Sequence, residues 1–223
     1  MQSKKVEAEI RKLLRDVMKL CEVKRESKKK SERVRRGRMP SIANEFEDRF
    51  AALLERVLPK RYSMLVDYRV SHRVGKQMKT YYPDVSIVRN GSVLAGIIEL
   101  KVDLGYTKGE WLAKSKESFR SLRKARTVQY RRESGTTNKE TDTLEVARDL
   151  CRAVVILSGK NDHGKLPLLM KEKDSFVLSS NVHPKSYEID SSNQQRFLRQ
   201  IAGDRENRKN WRAFAAFLRD SFR

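Results

Sequence analysis

Cysteine is nearly absent from this chain. The two that occur, Cys21 and Cys151, lie far apart and match no metal-ligand spacing, which argues against zinc and indicates no disulfide. No apolar run approaches the length needed to span a bilayer. The opening Met-Gln-Ser-Lys-Lys carries neither a signal-like stretch nor a lipidation motif, and no internal repeat is visible. Acids are also scarce: 29 Asp and Glu face 50 Lys and Arg, for a formal charge of +21. The absences predict a soluble, intracellular, cytoplasmic protein in a reducing compartment, with no membrane partner. The charge excess predicts a polyanionic partner held in a salt-dependent way, nucleic acid before all others. An anionic membrane would use the same charge, but binding there calls for a strongly apolar helix face or an anchor.

A length of 223 residues suits one sizeable domain with appendages. Three segments are expected: an N-terminal helix and basic arm over 1–39, a core over 40–160 and a C-terminal extension over 161–223. Val6, Ile10, Leu13, Leu14, Val17, Met18 and Cys21 recur at helical spacing and predict an amphipathic helix over 5–23. It could pack on the main domain or on a second subunit, which leaves a homodimer open. From Lys24 to Arg38 nine basic residues meet two acids, the composition of a linker or a phosphate-contacting arm that includes Arg35, Arg36 and Arg38. Pro40-Ser41 opens a second helix with a stripe of Ile42, Phe46, Phe50, Leu53, Leu54 and Val57, and Pro59 stops it. Strands are expected near 63–70, 81–89 and 93–102, helical sequence over 107–133, and a short helix over 142–150. The apolar run 152–157 suits a buried strand. Short strands near 175–179 and 186–189 and helices near 191–201 and 205–221 complete the expectation.

The densest signal is the hairpin around Asn90-Gly91, a pair that favours a type I′ turn because both residues accept positive φ. A two-residue loop pairs Arg89 with Ser92. That register places Asp84 opposite Ile97, with Glu99 one step along the diagonal. Strand alternation then brings Ile97, Glu99, Lys101 and Asp84 to one face. Two acids and a lysine on an apolar hairpin are costly to bury unless something compensates them, and a divalent metal would do so.

Pro83-Asp84, followed after fourteen residues by Glu99-Leu100-Lys101, with a helix before the strands and a helix and buried strand after them, resembles the PD-(D/E)XK nuclease superfamily. The resemblance covers about residues 41–158. It implies an α/β (α+β) fold with a restriction-endonuclease-like core, a mixed central sheet flanked by helices, here with helical additions at both ends. It also implies an acid from the first helix in the metal site. Glu45 and Glu47 are the candidates, and Glu47 is preferred because it borders the apolar stripe beside Ala43, Phe50 and Leu54. Asp84, Glu99 and Glu47 would hold Mg²⁺, or Mn²⁺ in its place, as hard oxygen ligands. Lys101 would orient water and offset charge in the transition state. The function implied is a metal-dependent DNA endonuclease of the restriction, site-directed or nicking type. The alternative is a nucleic-acid-binding protein that keeps the fold without the chemistry.

Lys114, Lys116, Arg120, Arg123 and Lys124 form a candidate DNA-facing stretch, favoured over a merely solvated basic face by the overall charge of +21, and Arg131 and Arg132 extend it. Asp103 shares the Glu99 face. His72, His163 and His183 are read as surface residues. Trp211, Phe214, Phe217, Leu218 and Phe222 recur at helical spacing, as a core stripe does.

Overall fold

The computed structural model describes residues 3–26, 29–31, 34–35, 43–103, 110–133, 139–158, 164–172, 175–180 and 194–223. Helix α1 (Ser3–Glu26) is followed by a two-stranded ribbon, β1 (Lys29–Ser31) and β2 (Val34–Arg35), and by α2 (Ala43–Val57). Strands β3 (Tyr62–Val66), β4 (Val70–Val74), β5 (Gln77–Tyr81), β6 (Val85–Arg89) and β7 (Val93–Asp103) come next. After α3 (Trp111–Arg123) follow β8 (Thr127–Glu133), β9 (Lys139–Ser158), α4 (Lys165–Met170), β10 (Phe176–Ser179), α5 (Gln194–Gly203) and α6 (Arg205–Ser221). The fold is α+β, with a mixed central sheet flanked by helices. Its strand order is β3-β6-β7-β9-β8-β4-β5, and β10 also pairs with β9.

The long strand β9 organises this sheet. It runs parallel to β7 along one edge, while its other edge takes β8 antiparallel over 139–145 and β10 parallel over 153–156. Residues 153–157 are buried throughout, as their apolar run requires of a strand covered on both faces. One side of the sheet packs against α1, α2, α5 and α6 in a large apolar core. Helix α1 lays Val6, Ile10, Leu13, Leu14 and Val17 into it, so these five residues of its apolar stripe are buried within the chain. Ion pairs Arg56–Glu9 and Arg49–Asp16 tie α1 to α2, and Arg212–Glu7 ties it to α6. The aromatic stripe of α6 is core, with Trp211, Phe214, Leu218 and Phe222 all buried. The other side of the sheet carries a smaller cluster under α3, built from Val70, Ile97, Phe119, Leu122, Val128 and Leu144 with their neighbours. Among the described residues no helix is long and apolar enough to cross a membrane.

Several expectations are corrected. The helix expected over 107–133 ends at Arg123, and Tyr130 lies on β8, where buried Val128 between exposed Thr127 and Gln129 shows a period of two. Residues 142–150 are strand rather than helix. Here β9 bulges: Leu94 pairs with Val146 and Gly96 with Cys151, so four residues of β9 face one of β7. The bulge spaces buried Leu144, Ala147 and Leu150 three apart, which imitates a helix in the sequence. The span 63–70 is two strands, broken at Asp67, whose φ of 54° is left-handed. His72 is buried rather than superficial, with Nε2 2.8 Å from Ser121 Oγ. The strand expected at 186–189, His163, His183, Arg36 and Arg38 lie outside the described residues. Of Arg35 and Asp103 only the backbone is described.

Candidate active site

The hairpin that carries the site turns as its sequence asks. Asn90 has φ 51° and Gly91 φ 70°, and Ser92 N–H donates to Arg89 O at 3.2 Å. The register differs from expectation by two residues. Arg89 pairs with Val93 rather than Ser92, and Ala95 adds a further residue on β7, so Val85 pairs with Ile98. A slip of two preserves parity, which is why Asp84 still reaches the Glu99 and Lys101 side despite the wrong partner.

Asp84 stands where the β6 ladder stops. Its carbonyl accepts from Asp67 N–H at 2.9 Å, and its carboxylate takes the Leu100 N–H that the strand no longer pairs. The same oxygen, Oδ2, lies 3.0 Å from Lys101 Nζ. Lys101 spends its three donors on Asp84, on Glu99 Oε2 at 3.4 Å and on Leu100 O at 3.0 Å, and its ammonium sits over the Trp111 ring at 5.1 Å. Burial by itself would lower the pKa of Lys101, but Glu99 and Asp84 outweigh it and the net shift is upward. The group therefore remains an ammonium.

Glu99 is buried, and a polar network supports it. Glu99 Oε1 accepts from the Tyr81 hydroxyl and from Ser115 Oγ at 3.4 Å. Ser115 in turn accepts from Arg152 Nη2 at 2.6 Å, and Arg152 Nη1 donates to Ser175 Oγ at 2.9 Å. Arg152 is 2% exposed and lies over the Phe119 ring. A guanidinium so deep needs a counterion, and Glu99, one hydroxyl away, supplies it. Burial and then Glu99 push the Tyr81 phenol well above its ordinary pKa, so it stays a donor.

Glu47 enters from α2. Burial first, then Asp84 and Asp67, push its carboxyl up to about 7, against an opposing pull from Lys101. Glu45 is exposed and pairs with Arg49 at 3.9 Å. Among the described residues no three His, Cys, Asp or Glu side chains already form a cage for a cation. The donors nonetheless suit one: they are oxygen only, and Asp84 and Asp67 add to burial in raising the Glu47 carboxyl.

The basic stretch on α3 is more engaged than its sequence implies. Lys116 is half-buried against Glu172 at 2.5 Å, and exposed Lys114 pairs with Glu110 at 2.6 Å. Arg120, Arg123 and Lys124 are exposed. Tyr81, Ser115, Trp111, Asp67 and Arg152 were not singled out from sequence. Only Arg152 gave a signal there, as a lone cation at the head of a buried apolar strand.

No protein-family model, curated protein or solved structure matches this chain.

Proposed function

We propose that this protein is a metal-dependent DNA endonuclease with a restriction-endonuclease-like core. The observation that carries the reading is the convergence of Asp84, Glu99 and Lys101, with Glu47 near enough to feel Asp84 and Lys101, at the end of the central strand β7 in a chain of charge +21. The order of α2, the antiparallel strands β3, β6 and β7, α3 and then β9 parallel to β7 supports it, because it is the succession the motif resemblance implies, here with β4 and β5 inserted before β6 and β8 before β9.

Asp84, Glu99 and Glu47 would hold a divalent cation such as Mg²⁺, which supplies charge to polarise a phosphodiester and to acidify water. Lys101, kept protonated, stabilises negative charge developing on the phosphate and orients the attacking water. Tyr81 and Ser115, with Arg152 behind Ser115, hold the Glu99 side chain in place. A polyanion binder without chemistry gains nothing from acids set beside its phosphate groove, which weighs against the non-catalytic alternative.

The test is supercoiled plasmid incubated with Mg²⁺, with EDTA, and with the Lys101→Ala variant. Cleavage should require Mg²⁺ and fall at least ~100-fold in the variant, the scale of losing one charge-stabilising donor. DNA binding without cutting under Mg²⁺ or Mn²⁺ would leave the non-catalytic alternative standing.

A further inference from the structure

We infer that the β4–β5 hairpin is a probe for the major groove of duplex DNA, positioned by the same residue that braces Glu99. The inference rests on the DNA-directed reading of the site and names the element that would read the duplex beside it.

The hairpin is anchored at its root and bare at its tip. At the root Val70 is 0% and Tyr81 7% exposed, and His72 is bonded to Ser121 of α3. Cross-strand contacts from Arg69 Nη2 to Thr80 Oγ1 at 3.2 Å and between Ser71 and Thr80 hydroxyls at 3.4 Å stiffen the stem. Every residue from 73 to 78 is exposed, including two large apolar ones, Val74 at 42% and Met78 at 52%. Val74 pairs directly with Gln77, so the loop is only Gly75-Lys76, with Gly75 at φ 59° meeting the positive φ that a tight primed turn demands. Such a ribbon is narrow and stiff. β5 is also the outermost strand of the sheet, so the ribbon has one open side.

Its chemistry names the occupant. Between Asp67 and Asp84 there is no acid, while Arg69, Arg73, Lys76 and Lys79 are basic. The exposed tip combines Arg and Lys, which bond guanine edges, Gln, which bonds adenine, and apolar groups, which meet the thymine methyl. A two-stranded ribbon has the width the major groove admits. From Tyr81, which donates to Glu99, the tip Lys76 lies five residues along β5, roughly 17 Å at ~3.4 Å per residue. That reach carries it from a cut phosphate into the adjoining groove.

The experiment measures affinity of the full chain for a pool of random-sequence duplexes in EDTA, by fluorescence anisotropy. Arg73→Ala/Lys76→Ala should weaken binding about tenfold, whereas the charge-matched Arg208→Ala/Lys209→Ala on exposed α6 should change it less than ~3-fold. Thermal midpoints should match the parent, since all four side chains are exposed. Netropsin filling the minor groove should leave the affinity in place; displacement by it would overturn the groove assignment. Equal effects of the two pairs would overturn the hairpin's role and leave the nuclease reading untouched. A selective hairpin effect in a protein that never cuts plasmid would uphold the probe and remove the nuclease. No duplex binding at all would remove both.

Discussion

The two faces of the central sheet are built on different terms. Beneath α1, α2, α5 and α6 the interior is apolar and aromatic, with Phe50, Phe176, Phe214 and Phe217 in mutual ring contact. Beneath α3 the apolar cluster is smaller, and the buried histidine, glutamate and arginine among the described residues, His72, Glu99 and Arg152, all lie on that side. Burying charge costs stability and shape-filling rings supply it, so the division places the cost where chemistry needs fixed charge and the gain on the opposite face. Asp84 lies at the seam, near enough to Glu47 of α2 to help raise its carboxyl and bonded to Lys101 from the other side.

If that division is right, the largest loss of stability should come from the helical side. Phe214 is fully buried between Phe50 and Phe176, and Phe214→Ala should cost about 3–5 kcal/mol. In a chain of this size that lowers the thermal midpoint by roughly 10 °C. Duplex affinity well below the new midpoint should stay at the parent value. A variant that melts normally, or that loses DNA at permissive temperature, would break the comparison.

A smaller effect is expected under α3. Arg152→Met removes the guanidinium behind Ser115, yet Glu99 keeps Lys101 and Tyr81, so the loss should be about 2–3 kcal/mol, below that of stripping a lone buried pair. The informative measurement is the double-mutant cycle with Glu99→Gln, read by urea unfolding. Coupling of at least ~1 kcal/mol is expected, because the two residues serve one network. Strict additivity would mean that Arg152 answers to Ser175 and packing alone.

The same division explains what was legible in the sequence. The helical side obeys a single rule, apolar residues at helical spacing, and α1, α2 and α6 were readable from it to within a few residues. The hairpin of Asp84 and Glu99 was readable because its turn residues fix φ; its register was misjudged by two, by one at the turn, where Arg89 pairs with Val93, and by one more because no local pattern marks Ala95 as extra. Parity spared the site from that error. Beneath α3, two rules compete. The β9 bulge gives a strand the spacing of a helix, and the partners of Glu99 come from β5, α3 and β9, up to 53 positions away. Tyr81 and Ser115 are ordinary residues until folding brings them together, so only tertiary structure reveals their role.

The smallest effect sharpens the seam itself. Folding raises the Glu47 carboxyl from its ordinary 4.5 to about 7, through burial and the neighbouring Asp84 and Asp67. Between those values the native protein holds a proton that the unfolded chain releases, so this group's contribution to stability declines as pH climbs from about 4.5 to 7 and stays low above. Glu47→Gln cannot ionise and escapes that decline. The difference in thermal midpoint, variant minus parent, should therefore be near zero at the acid end, grow through neutrality and level off above pH 7. Half-exposure of Glu47 keeps the change modest, so its sign and its pH window are the readout. A difference that is flat with pH would mean Glu47 titrates as it does unfolded, and would detach α2 from the acids at Asp84.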